Sequence, residues 1–136
     1  MENQMARLEH LTHELKDGNM KAYDQYMNHT RSEGYQVDFQ NKVKPFADRY
    51  QVLIDEWKPL VTDWVMSQKP NYVYPIQIKD TCENLSIVIV TAFQKDTRRR
   101  RFIETIKAID YVLDNVLEQL KENIASNKSA GCHPDK

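Results

Sequence analysis

Between residues 39 and 64 an apolar side chain returns every third or fourth position: Phe39, Val43, Phe46, Tyr50, Leu53, Trp57, Leu60 and Trp64. The steps alternate four and three, so the run is a heptad seam along one side of an α-helix. A stripe of that length cannot stay in water. It needs facing stripes of similar length, and that requirement limits the chain to packed helices. Pro45 and Pro59 fall inside the seam and each removes a backbone donor. One kinked helix is the expected reading. The alternative is that Pro45 starts the true helix and residues 36–44 form a separate turn.

Three further stripes supply the partners. From residue 2 to about 30, Met5, Leu8, Leu15, Ala22 and Tyr26 recur at helical spacing, flanked by Leu11 and Tyr23. Gly18 and Asn19 weaken the middle of this helix, and Gly34 in "SEGY" suits its end. The segment "SQKPNYVYP", residues 67–75, is a connection, and Pro75 fits the first turn of the next helix. That helix carries Ile78, Cys82, Leu85, Ile89 and Ala92. Ile87, Val88, Val90 and Phe93 widen its apolar face, so it is expected to be the most buried. Asp96 and Thr97 are placed to cap the last helix, whose seam is Phe102, Ile106, Ile109, Leu113, Val116 and Leu120. The pattern predicts an all-α, antiparallel up-and-down four-helix bundle over residues 1–125, with 126–136 a disordered C-terminal tail.

Composition agrees and narrows the function. Apolar residues make up 40% of the 136 and charged residues 29%, with only three glycines and five prolines to break long helices. Nineteen basic residues against twenty acidic ones leave a net charge of −1, which disfavours a nucleic-acid-coating role. The longest apolar stretch, residues 87–93, is far too short to span a bilayer, so no membrane is implied. The N-terminus MENQMARLEHL is charged and amphipathic, unlike a signal peptide, and two cysteines make no disulfide framework. A cytoplasmic setting is the expectation.

The segments "VKPFADRYQVLIDEW", "KPNYVYPIQI" and "RRFIETI" resemble the YppE-like family, small uncharacterised proteins of low-GC Gram-positive bacteria grouped as a domain of unknown function. The ordered anchors are Lys44-Pro45, Trp57, Pro70, Tyr72-Val73, Gln77-Ile78, Asn84 and Arg101-Phe102, over roughly residues 35 to 120. The resemblance implies a left-handed four-helix up-and-down bundle and no particular activity.

Chemistry-bearing constellations are sparse. Bundle di-iron sites use Glu-x-x-His on two helices, and no histidine here has a glutamate three positions before it. His10 and His13, beside Glu9 and Glu14, fit a solvated face. Cys132-His133 offers two ligands where structural zinc takes four. Cys82 lies on a core stripe, which predicts an inert thiol. Lys69 and Lys79 lack the glycines of a phosphate loop. Asp80 with Glu83, and Asp110 with Asp114, read as outer-face charge. No metal, no cofactor and no enzymatic activity are expected.

Two features remain as contact candidates. Tyr72 and Tyr74 in the connection either cover the bundle end or form a small apolar patch. Arg98, Arg99, Arg100 and Arg101 open the last helix. In an up-down bundle they start beside the ends of the first and third helices, whose negative dipole ends give four cations a structural reason. The leading expectation is therefore a small bundle acting through protein–protein contacts, with a partner of unspecified identity and an unspecified oligomeric state. The alternative is a weak nucleic-acid or anionic-ligand binder through the Arg98–Arg101 end. The two differ in geometry. A structural role engages the arginines with helix ends or acids, whereas a binder leaves them unpaired around an open concavity.

Overall fold

The computed structural model describes residues 2–132, with side chains described over 4–123. Helix α1 runs Glu2–Gln25, α2 Lys44–Gln68, α3 Pro75–Thr91 and α4 Arg99–Cys132. A wide π-helical turn, Tyr26–Thr30, prolongs α1, and a second, Phe39–Val43, leads into α2. The chain is an all-α antiparallel up-and-down four-helix bundle. Helices α1 and α3 each pack against both α2 and α4. Contacts run in opposite senses along neighbours. Arg7, Thr12 and Glu14 meet Glu56, Trp57 and Arg49 of α2. Lys16, Asn19 and Tyr26 meet Asp114, Ile106 and Phe102 of α4.

The core follows the seams, with a rotated register on α2. Trp57, Tyr50 and Trp64 are buried as expected, but Ile54 and Val61 join them while Leu53 and Leu60 sit on the shoulder, half-buried. Both lines are apolar, so the wider stripe of a bundle helix is compatible with either centre. Phe39, expected on the seam, is 54% exposed. The wide turn at Phe39–Val43 breaks the 3.5-residue period there and turns Phe39 out of line. Pro45 lies in the first turn of α2, where its missing donor is not needed. This is the alternative reading of Pro45, joined to the wide turn without a gap. Pro59 lies inside α2, which continues past it to Gln68.

Two positions that look weak in sequence are where helices meet closely. Gly18 is buried, and a Cβ built on it would stand 2.4 Å from Cε1 of Tyr50. Glycine is required because the Tyr50 ring lies against the α1 backbone. Asn19, also fully buried, donates Nδ2 to the Ile106 carbonyl at 3.0 Å and ties α1 to α4. At the centre, Trp57 is fully buried and donates Nε1 to Thr12 Oγ1 at 2.9 Å. That hydroxyl in turn donates to the Leu8 carbonyl at 2.7 Å.

Helix α3, with 17 residues, is the short member, about 25 Å long, against 34 residues and about 51 Å for α4. The backbone stays helical to Cys132, past the expected break at 126, because nothing between Ser126 and Ala130 obliges a helix to stop. Residues 133–136 of the expected tail lie outside the described residues. Among the described residues no helix is long and apolar enough to cross a membrane.

Trp57→Ala removes the largest core side chain and strands the Thr12 pair, so it is expected to cost about 3–5 kcal/mol. A urea midpoint near wild type would contradict the burial. Gly18→Ala tests the close approach. Intrinsic propensity favours alanine by about 1 kcal/mol, but overpacking against Tyr50 is expected to prevail and destabilise by about 1–3 kcal/mol, read from the same unfolding curves.

Candidate functional site

The two contact candidates lie at opposite ends of the bundle and do not form one site. Tyr72 and Tyr74 sit in the α2–α3 connection, 63% and 56% exposed. Pro70 and Val73 are the residues that cover that end. Lys69 closes α2 in the left-handed region at φ 46, with its N–H on the Val65 carbonyl, and Tyr72 follows at φ 66. A bulky residue at positive φ is strained, and Tyr72 is one such residue, with its ring exposed. Gln119 Oε1 accepts the Asn71 N–H at 3.2 Å and moors the connection to α4. Gln77 Oε1 accepts the Tyr74 N–H at 2.8 Å, half of a capping box for α3.

At the other end α1, α3 and α4 converge. Helix α3 finishes at Thr91, and its last carbonyls have no partners within the helix. Backbone N–H groups of the turn take most of them, Ala92 on Val88, Phe93 on Val90 and Gln94 on Thr91, and hydroxyl groups take the carbonyls at and just past the end. Thr30 Oγ1, fully buried on the wide turn after α1, donates to the Ala92 carbonyl at 2.6 Å. Tyr35 Oη donates to the Phe93 carbonyl at 2.9 Å, and Thr97 Oγ1 to the Thr91 carbonyl at 2.7 Å. Tyr26 Oη then holds the α3–α4 turn by donating to the Thr97 carbonyl at 2.6 Å, its ring stacked at 4.6 Å on Phe102. Thr97, expected to cap α4, is therefore committed backwards to α3, because the turn presents its hydroxyl to Thr91 first.

These hydroxyls occupy the role expected of the arginines. All four arginines are exposed. Arg100 pairs with Glu104 one turn on, at 3.4 Å. Among the described residues the other ion pairs take up Arg7, His10, Lys16, Lys21, His29, Lys44 and Arg49, and none takes Arg98, Arg99 or Arg101. Among the described residues no hydrogen bond joins an arginine side chain of the cluster to a helix-end carbonyl; the donors there are short and neutral and need no desolvation of a cation.

Arg98 and Arg101 instead border an open groove of about 260 Å³ between the end of α3 and the start of α4. Ile87, Val88 and Phe102 form its apolar side, with Thr91, Thr97 and Thr105 adding hydroxyls and Asp96 an acid. Ile87 was expected in the apolar face of α3. It is 54% exposed and lines this groove, because α3 turns that side toward the corner rather than the core. Sequence reasoning missed Thr30, Tyr26 and Tyr35. The available signal was only that hydroxyl residues cluster where α1 ends.

Other chemistry-bearing residues stay apart. His10 and His13 are both exposed on α1, and no group of three or more His, Cys, Asp or Glu side chains gathers among the described residues. Asp110 and Asp114 both face Lys16, whose pKa they raise, chiefly through the Asp114 hydrogen bond. Burial pushes the Cys82 thiol up to about 11, only partly offset by Lys58. The Cys132-His133 pair lies outside the described side chains.

Comparison with known proteins agrees with the fold. A family model for a bacterial domain of unknown function, DUF1798, matches residues 12–120. The match reaches back into α1, where the YppE-like anchors noted above do not extend. No match is found among curated proteins. A Listeria innocua protein of unknown function is 26% identical, superposes with a TM-score of 0.85, and is matched over 92% of this chain and 99% of its own. The Bacillus subtilis protein yppE is 19% identical with a TM-score of 0.81, over 87% and 95% of the two chains. A Staphylococcus aureus DUF1798 protein is 23% identical with a TM-score of 0.75, over 83% and 95%.

Cys82 yields a pH-dependent expectation. Its thiol holds its proton more tightly folded than unfolded, so its stabilisation is complete below the unfolded pKa near 9 and is lost as pH rises toward about 11. Unfolding midpoints are expected to fall across that window, less steeply in Cys82→Ala. Equal slopes would contradict the buried thiol.

Proposed function

The chain belongs to the DUF1798 family of bacterial domains of unknown function, and on that footing we propose that it is a non-enzymatic, cytoplasmic binding module that takes an anionic group at the α3–α4 corner. The observation that carries the reading is the division of labour there. Backbone N–H groups and neutral hydroxyls satisfy the end of α3, and among the described residues Arg98 and Arg101 have no acidic partner beside an open groove. Among the described residues no ion pair takes either cation, so a ligand is the reason offered for them. Of the two readings open from sequence, contact with a protein and capture of an anion, this one joins them at a single surface.

The non-enzymatic part rests on the groove's own side chains. The threonine hydroxyls and guanidinium groups recognise anions, and the one carboxylate of the lining, Asp96, is an exposed side chain beside them. The cysteine of the core has a raised pKa and no access to the groove. A free thiol in the core is also the state a reducing compartment maintains, which supports the cytoplasmic assignment.

The test is an amide chemical-shift titration with polyglutamate. Saturable shifts are expected for Thr91, Thr97, Arg98, Arg101 and Thr105 in the wild type, and are expected to be lost in Arg98→Gln/Arg101→Gln. Shifts scattered over the surface, or unchanged in the variant, would contradict the assignment.

A further inference from the structure

We infer that the occupant of the α3–α4 groove is an acidic peptide segment carrying an apolar residue beside its carboxylates, rather than a nucleic acid or a free phosphate. The inference rests on the anion-binding reading of the corner and specifies the chemistry of its partner.

Three observations select the peptide. The first is the exposed Ile87, which with Val88 and Phe102 gives the groove an apolar side. A phosphate or a sugar–phosphate backbone has nothing to place there, whereas an aliphatic peptide side chain does. The second is the number of cations. Arg98 and Arg101 lie three residues apart and face one groove, while Arg100 is turned to Glu104. Two phosphate contacts would give a salt slope of only about −1.4 on single strands and −1.8 on duplex DNA. Arg100 shares a neighbouring hollow with them but is paired with Glu104, and the net charge of the whole chain is −1. Two guanidinium forks instead match two carboxylates of one short segment, each able to form a bidentate pair. The third is Asp96 in the groove lining. Its oxygens can accept peptide N–H groups, which a sugar–phosphate backbone does not offer. Charge complementarity therefore fixes the sign of the partner, and Ile87 fixes its amphipathic character.

The pairs form at an exposed rim, so binding is expected to be weak and salt-sensitive. The probes are a short fluorescent peptide with acidic residues on both sides of a leucine, the same peptide with serine for leucine, single-stranded oligothymidylate, and inorganic phosphate. Each is titrated against the wild type, Arg98→Gln/Arg101→Gln and Ile87→Ser. All three substituted side chains are exposed, and folding of the variants is checked by circular dichroism.

The leucine peptide is expected to bind the wild type best. Its affinity should fall at least about tenfold in the double arginine variant, a change of about 1.4 kcal/mol, and severalfold in Ile87→Ser. Serine-peptide affinity equal to that of the leucine peptide, or indifference of the leucine peptide to Ile87→Ser, would overturn the inference. So would oligothymidylate or phosphate binding more tightly than the peptide through the same arginines, although the anion-binding reading would then stand. If no probe binds, or if binding ignores the arginines, both fall together.

Discussion

The bundle depends on how the short helix α3 is finished. It stops at Thr91, and Ala92 and Phe93, which follow it, are buried, so the helix ends inside the corner. Unsatisfied, each terminal carbonyl would cost about 1–3 kcal/mol. Backbone N–H groups of Ala92, Phe93 and Gln94 meet the carbonyls of Val88, Val90 and Thr91; Thr30, Tyr35 and Thr97 supply donors to Ala92, Phe93 and Thr91, and Tyr26 fixes the turn that follows. These contacts join the end of α1, the α1–α2 connection and the start of α4 to one point. The wide turn Tyr26–Thr30 bears on this directly, because it carries both the Tyr26 and Thr30 side chains. That corner also sets the register of α4, whose Phe102 packs on the Tyr26 ring.

Function follows from what this arrangement leaves over. Backbone N–H groups and hydroxyls satisfy the helix end, and no arginine side chain of the cluster takes part among the described residues. The corner carries guanidinium groups that are unpaired among the described residues, an exposed isoleucine and several hydroxyls around one groove. The opposite end is built differently. There Pro70 and Val73 close the core, and Tyr72, at positive φ, has its ring exposed. The long α1–α4 seam between the ends is held by Asn19 on the Ile106 carbonyl and by Lys16 between Asp110 and Asp114.

The bundle was legible because four long stripes at helical spacing admit few other packings, and the α4 seam from Phe102 to Leu120 is buried residue for residue. The register of α2 was not, since Leu53 and Ile54, like Leu60 and Val61, are interchangeable in an apolar pattern. Gly18 read as a defect because its reason, the Tyr50 ring, lies 32 positions away in sequence. The arginine cluster was visible at once, and its environment was not. Which groups satisfy a helix end is decided by side chains from other helices, and no local pattern marks Thr30 as the partner of Ala92. For the same reason Ile87 read as core: its exposure depends on how α3 is rotated at the corner.

The claim that hydroxyls, not arginines, hold the end of α3 has a direct test in the equilibrium stability of two variants. Thr30→Val keeps the shape of the side chain and removes its donor, leaving the Ala92 carbonyl unsatisfied. It is expected to lower stability by about 1–3 kcal/mol. Arg98→Gln/Arg101→Gln removes both groove cations and is expected to stay within about 0.5 kcal/mol of wild type. If urea denaturation shows the arginine variant losing as much stability as Thr30→Val, or more, the cations are structural and the account is contradicted.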